Sequence, residues 1–310
     1  MTEVGLVQAA PRMELAQLDA SGLTSSFLMA IDVAGATKRT YERSLRQFTR
    51  WMTGTGKDLV SLRRGDILDY KRSLSERSPY TVSTYLTAVR RFFEWLEAER
   101  LYPNVARGVR GGKKTRGYRK DCLTVAQIRE ALGSFDRSTM EGLRDFALFN
   151  LLVRTGLRTV ELARALVGDL RQESGEAVLW VQGKGRDEKD DFVLLTEEAL
   201  RPVREWLSAR GKTEDEAPLF CSLSFRNHGG GLTTRSISRI VKDAFRKIDL
   251  DSSRLTAHSL RHTAVTLAVA GGASLQQAQA MARHSDPRTT LVYFHNLDRV
   301  RDGAEKYVQI

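Results

Sequence analysis

The stretch Arg107 to Asp121, RGVRGGKKTRGYRKD, decides how this chain is organised. It holds four glycines and seven Lys or Arg residues and almost nothing apolar, so it offers no face to a hydrophobic core. Residues 107–120 read as a basic linker, and such a linker suits a path along a polyanionic backbone. A chain of 310 residues is long enough for about two domains of ordinary size. The linker therefore separates a module at residues 23–106 from a larger one at 121–310. Residues 1–22, weakly periodic, form an N-terminal tail.

Between Leu23 and Tyr102 the apolar spacing predicts four helices. The second, Ala36 to Met52, places Tyr41, Leu45, Phe48 and Met52 at i, i+4, i+7 and i+11, a core stripe. Arg39, Arg43, Arg46 and Arg50 repeat at the same spacing on another face, as a solvated helix face or one that meets phosphates. The fourth opens on Ser78-Pro79, an N-cap followed by proline in the first turn. Val82, Tyr85, Leu86, Val89, Phe92 and Leu96 form its core stripe. Thr81, Thr84, Thr87 and Arg91 fall largely off it and suit phosphate contacts.

Past the linker, helices alternate with a small sheet. Leu123 to Phe135, Met140 to Arg154 and Thr196 to Arg210 are helical by pattern. Ala177 to Gln182 and Asp191 to Leu195 read as strands of a hairpin around a polar, glycine-containing turn. Thr233 or Thr234 caps a helix with Arg235, Arg239, Lys242 and Arg246 on one face and Ile237, Ile240, Val241 and Ala244 on the other. Its basic face suits a nucleic-acid groove. One more short helix is expected from Leu297 to Ile310, with Val300, Ala304, Tyr307 and Val308 on a common side. The expected fold is mainly α with a small antiparallel sheet, the larger module being α+β.

Composition narrows the function. Lys plus Arg number 49 against 38 for Asp plus Glu, a net charge of +11 that attracts polyanions, of which nucleic acid is the commonest. Neither GxxxxGK[ST] nor GxGxxG occurs, so ATP hydrolysis and dinucleotide binding have no support. Cys122 and Cys221 lie far apart without CxxC spacing, which argues against a disulfide framework or zinc ribbon and fits a reducing cytoplasm. Apolar runs fall short of a membrane span, and the N-terminus lacks a basic start followed by an apolar stretch.

The residues suited to chemistry cluster late: His258-Ser-Leu-Arg261-His262, then Arg283-His284, then Tyr293. If HSLRH begins a helix, His258 and Arg261 share a face at i, i+3. Histidine beside arginine makes sense where a phosphate is held and protons are moved. His258 and His262 at i, i+4 are also a metal-binding spacing. A zincin-like site, however, requires Glu where Ser259 stands, and no third ligand is near, so no metal is expected.

With Thr155-Gly-Leu-Arg158-Thr-Val-Glu161-Leu about a hundred residues before His258 and a Gly-Lys-Gly turn between them, these blocks resemble the tyrosine recombinase (phage integrase) family. The resemblance runs over nearly the whole chain from Leu23 and is closest to the simpler, Xer-like two-domain members. It implies a helical, SAM-like core-binding domain and a catalytic domain that close as a C-shaped clamp on duplex DNA. Arg158 and Arg261 would hold the non-bridging oxygens of the scissile phosphate, and Tyr293 would attack, leaving a 3′-phosphotyrosyl bond and a free 5′-hydroxyl. His258 would accept or relay the tyrosine proton, Lys184 would protonate the leaving oxygen, His284 would bond a phosphate oxygen, and Glu161 would orient its neighbours. No cofactor is implied. The implied partners are double-stranded DNA with specific recombination sites, three further copies of the chain on paired sites, and an accessory directionality factor. The setting is either mobile-element integration or Xer-like recombination through a Holliday junction. A type IB topoisomerase and a catalytically inactive DNA-binding regulator are the alternatives.

Two departures stand out. Many relatives have Leu-Gly before the last catalytic histidine, where this chain has Ala282-Arg283; the change either alters local packing or adds a phosphate contact. The GKGRDEKDDFVLL hairpin is longer than usual and offers Lys189 as a rival acid. His262 follows the family pattern and is expected to be structural. In related recombinases the C-terminal tail docks on the neighbouring protomer.

Overall fold

Phe27, Phe48, Tyr70, Phe92 and Phe93, all buried, draw together α1 (Ala20–Ala30), α2 (Gly35–Gly54), α3 (Arg64–Ser73) and α4 (Pro79–Ala98). The computed structural model describes residues 20–112, 121–183, 185–301 and 303–308. These four helices belong to the first of two compact units, and the second begins by Asp121.

The start of α4 is set by Ser78, whose Oγ accepts the N–H of Thr81 at 3.2 Å, while Pro79 supplies a φ already suited to the helix. In α2, Leu45, Phe48 and Met52 turn inward, and Phe48 meets Tyr70 edge-to-face with ring centroids 4.9 Å apart. Burying each such side chain stabilises the unit by about 1.5–3 kcal/mol. Arg39, Arg43, Arg46 and Arg50 lie on the far side of that helix, away from the core, and Arg91 is exposed on α4.

The linker begins later than the sequence suggests. Residues 107–112 pack onto the helical unit: Val109 is buried, and Arg107 pairs with Glu97 at 2.5 Å. A side chain at Gly112 would strike the backbone of Pro79 at 2.5 Å, so glycine there permits close approach to α4 as well as flexibility. Residues 113–120 lie outside the described set.

The second unit contains α5 (Val125–Gly133), α6 (Met140–Thr155), α7 (Thr159–Arg164), β1 (Leu170–Glu173), β2 (Glu176–Val181), β3 (Asp191–Leu194), α8 (Glu197–Arg210), α9 (Thr234–Arg246), α10 (Ala257–Ala270), α11 (Leu275–Ala282) and α12 (Pro287–Arg301). The described residues thus form a mainly helical chain with one antiparallel sheet, ordered β1-β2-β3. Leu170 pairs with Leu179 and Val181 with Asp191. The expected hairpin is β2–β3. Strand β1, Leu-Arg-Gln-Glu, escapes sequence reading because it is short and has no apolar alternation. Helix α7 escapes for a similar reason, being only 6 residues long.

Helix α6 is the spine of this unit. Residues Ala147 to Val153 are buried without a break, as befits a helix packed against α8 on one side and α10 on another. The C-terminal expectation needs correction. Residues from Leu297 continue α12 to Arg301, and a single 3-10 turn follows at Ala304–Tyr307. Tyr307 and Val308, expected on a common side of that helix, are 69% and 66% exposed. Among the described residues no helix is long and apolar enough to cross a membrane.

Candidate active site

The site is built where four helix ends meet. Helix α6 stops at Gly156, in the left-handed region at φ 63°, a conformation that glycine adopts without a Cβ penalty. Two residues on, the backbone N–H of Arg158 donates to Glu161 Oε2 at 2.7 Å and starts α7. Helix α10 follows Thr256 and brings His258, Arg261 and His262 to the same place. Helix α11 ends at Arg283, also left-handed at φ 50°, and the turn after it delivers His284. Helix α12 then carries Tyr293.

Arg158, His258, Arg261, His262, His284 and Tyr293 line one cavity of about 460 Å³. Five of the six residues expected to be catalytic from the sequence therefore share a site. The sixth, Lys184, lies outside the described residues. A larger cavity of about 770 Å³ opens between the start of α6 and α9, but none of the expected catalytic residues lines it. Volume is a poor guide to chemistry here, and the converging titratable groups mark the smaller cavity as the site.

The guanidiniums are fixed by the fold. Arg261, 2% exposed, donates through Nη1 to the carbonyl of Gly156 at 2.7 Å and through Nη2 to that of Ala282. Burial, reinforced by Arg158 and Arg283, pushes its pKa down to about 9, which leaves it charged at neutral pH. Arg158 donates through Nη1 to Glu161 Oε1 at 2.6 Å and through Nη2 to the carbonyl of Arg283 at 3.0 Å. Glu161 is wholly buried. Burial opposes its charge, but Arg283, and then hydrogen bonds from Arg283 and Arg158, outweigh that and hold the carboxyl below the usual range.

The imidazoles are held neutral. Burial, then the neighbouring His258 and Arg261, drive His262 down to about 4. Burial, then Arg261 and Arg158 ahead of smaller contributions from His262 and Arg283, do the same to His284. Both are uncharged at neutral pH, so His262 Nδ1, 2.6 Å from the Tyr293 hydroxyl, can accept a hydrogen bond from it. The His258 ring stands edge-on to His262 with centroids 4.6 Å apart. His284 Nδ1 is 2.9 Å from the hydroxyl of Thr290, which orients the ring.

Elsewhere the structure separates residues that the sequence groups together. Lys189, the rival acid, places its ammonium 2.6 and 2.8 Å from the two oxygens of buried Asp169. On α9, Arg235 and Arg239 are exposed. Lys242 instead turns to its own domain, pairing with Asp251 at 2.6 Å and the Ser252 carbonyl at 2.7 Å.

Sequence reading assigns no chemistry to His262, which touches the tyrosine hydroxyl, and does not single out Thr290. A helical count from His258 puts His262 one turn on, which is a usable signal; nothing in the sequence marks Thr290.

A buried guanidinium and a half-buried one beside a tyrosine hydroxyl and neutral imidazoles are equipment for opening and resealing a nucleic-acid backbone. Residues 122–299 match the Phage integrase family, and residues 27–100 match the Phage integrase N-terminal SAM-like domain. The chain belongs to that family: it is a site-specific tyrosine recombinase, an enzyme that cleaves and rejoins DNA strands. It is 31% identical to the tyrosine recombinase XerC of Myxococcus xanthus over 280 residues, covering 86% of this chain and 91% of the relative. It is 29% identical to XerD of Listeria monocytogenes over 271 residues, covering 84% and 87%. In fold it is similar to the XerH site-specific recombinase, solved bound to a palindromic difH substrate after cleavage. That similarity has a TM-score of 0.73 at 20% identity and covers 94% of this chain and 87% of the other.

Proposed function

We propose that this protein recombines paired DNA sites by transient covalent attachment of each cut strand to Tyr293. Arg158 and Arg261 hold the two non-bridging oxygens of the scissile phosphate and offset the charge that grows as five-coordinate phosphorus forms. The Tyr293 oxygen bonds to phosphorus while the bond from phosphorus to the 5′-oxygen breaks. The tyrosine proton passes to His262 Nδ1, with His258 beside it to relay it, and the leaving 5′-oxygen takes a proton from Lys184. His284, oriented by Thr290, donates to a phosphate oxygen, and Glu161 orients Arg158. The phosphodiester energy stays in the phosphotyrosyl bond, so attack by a 5′-hydroxyl from the second site reseals the strand without ATP. The observation that carries this reading is the 2.6 Å contact between Tyr293 and His262 inside a pocket walled by Arg158 and Arg261. A phenol of pKa near 10 needs an acceptor in contact, and the negative charge of the bound phosphate raises the proton affinity of the imidazole that touches it.

The N-terminal helical unit serves as the core-binding domain, meeting DNA through the arginine stripe of α2 together with Arg91. On the catalytic side, Arg235 and Arg239 track the backbone. Four copies act on two sites, and a directionality factor selects the sense of exchange, in the cytoplasm, as a mobile-element integrase or an Xer-like recombinase. A nicked suicide substrate, whose cut 5′-end diffuses away, tests the chemistry, and paired intact sites test the exchange. The expected results are a protein–DNA adduct stable to denaturation and a Holliday junction. Relaxation of supercoils with no junction under any condition would replace recombination with a nicking and resealing activity.

A further inference from the structure

Arg283 stands where a left-handed backbone favours glycine, at φ 50°, and yet its long side chain is only 5% exposed. Its guanidinium donates through Nη2 to Glu161 Oε2 at 2.7 Å and through Nη1 to the carbonyl of Met281 at 2.8 Å. Weaker contacts run from Nε to Glu161 Oε1 and from Nη2 to the Gly156 carbonyl, each at 3.4 Å. It does not line the catalytic cavity. It therefore sits behind the wall that holds the phosphate, turned toward Glu161.

We propose that Arg283 is a positioning residue that engages Glu161 so that Arg158 keeps its charge available to the scissile phosphate. This rests on the phosphotyrosine chemistry proposed above. Glu161 is shared between two guanidiniums, Oε1 going to Arg158 Nη1 and Oε2 to Arg283 Nη2 and the Arg158 backbone N–H. Arg288, also on the cavity, is paired with Asp286 at 3.0 Å, so the other three guanidiniums (Arg158, Arg261, Arg283) against one carboxylate (Glu161) leave two uncompensated positive charges. That equals the charge a phosphodiester reaches when a second oxyanion joins it in the transition state. Without the Arg283 guanidinium the buried carboxylate would face Arg158 alone and draw its fork inward, and the surplus would fall to one. The second Arg158 contact, to the Arg283 carbonyl, is made by the backbone and survives any side chain at that position.

Arg283→Gly suits the left-handed backbone and removes the whole side chain while keeping the carbonyl that Arg158 uses. Its single-turnover cleavage of a nicked suicide substrate should slow on the order of 10- to 100-fold, with site affinity changed less than about 2-fold. Arg283→Lys, which restores one charge to Glu161, should recover most of the rate. In a Glu161→Gln background, where no carboxylate needs engaging, Arg283→Gly should cost less than about 2-fold. Wild-type cleavage by Arg283→Gly, or an equal loss in both backgrounds, would overturn the assignment while leaving the phosphotyrosine chemistry intact. No adduct from the wild-type protein would instead remove that chemistry and, with it, the basis of the assignment.

Discussion

The chain uses arginine in two opposite ways. On α2, Arg39, Arg43, Arg46 and Arg50 lie off the core face, and the ion pair of Arg46 with Glu42, at 2.5 Å, joins two well-exposed side chains. Around the catalytic cavity, Arg261 and Arg283 are buried, and with Arg158 they are locked to carbonyls and to one carboxylate. A solvated guanidinium moves, is screened by salt and gives weak, additive attraction. A buried one is held in place before the phosphate arrives and acts in a low dielectric, where charge stabilisation is strong. On the proposed reading, the first kind serves to find and hold DNA, and the second to change it.

That contrast breaks most visibly under substitution. Arg261→Ala should lower cleavage by on the order of 100- to 1,000-fold, by analogy with removal of one transition-state donor. It should also lower the melting temperature, because the Gly156 and Ala282 carbonyls lose their donor. Arg43→Ala should change cleavage less than about 2-fold at saturating DNA, since it serves binding rather than chemistry. Single-turnover rates on one suicide substrate compare the two directly. A larger loss from Arg43→Ala would reverse the division.

The two lysines sharpen it. Lys189 is bound to buried Asp169, so Lys189→Ala should cost stability and leave the leaving-group step alone. Lys184→Ala should cleave ordinary DNA slowly and recover on a substrate with sulfur at the bridging 5′ position, which needs no acid. Recovery by the Lys189 variant instead would move the acid to the longer part of the hairpin.

The imidazoles give a smaller effect with a definite sign. His262 and His284 titrate near 4 when folded, against 6.5 for an ordinary imidazole. The unfolded chain therefore binds more protons between those values, and stability falls as pH drops from about 6.5 toward 4, while above that window it is unaffected. Thermal melts at pH 7 and pH 5 should show a smaller drop for His262→Gln or His284→Gln than for the wild type. An equal drop in all three would mean that neither ring is held neutral by the fold.

The smallest effects belong to the arginine stripe of α2. Each phosphate-binding arginine replaced there should reduce the log–log salt slope of DNA binding by about 0.9. An unchanged slope after all four become alanine would mean that α2 does not meet the backbone.

The same contrast explains what is legible in the sequence. Strongly periodic helices such as α2, α4 and α9 announce themselves, because one face is buried and the other wet. The candidate catalytic blocks are legible through their resemblance to the tyrosine recombinase family, with histidine beside arginine as a signal of phosphate chemistry in its own right. The opaque features depend on tertiary burial. In the sequence Arg283 is only a local departure, and the fold alone shows its backbone left-handed and its side chain on Glu161, 122 residues away. His262 reads as structural until α12 brings Tyr293 against it. Residues 107–112 read as linker because glycine suggests flexibility, whereas at Gly112 it also permits contact with α4. Residues 304–307 form a single 3-10 turn where the pattern suggests a helix.

The central claim is that Tyr293 is the nucleophile and that His262 receives its proton. Trapping the protein on a nicked suicide substrate, digesting the adduct and sequencing the DNA-linked peptide by mass spectrometry tests the first half most directly. The account predicts a single modified peptide, carrying the 3′-phosphate on Tyr293, and no adduct from Tyr293→Phe, which should still bind the site. A nucleotide found on any other residue, or an adduct that persists in Tyr293→Phe, would contradict it.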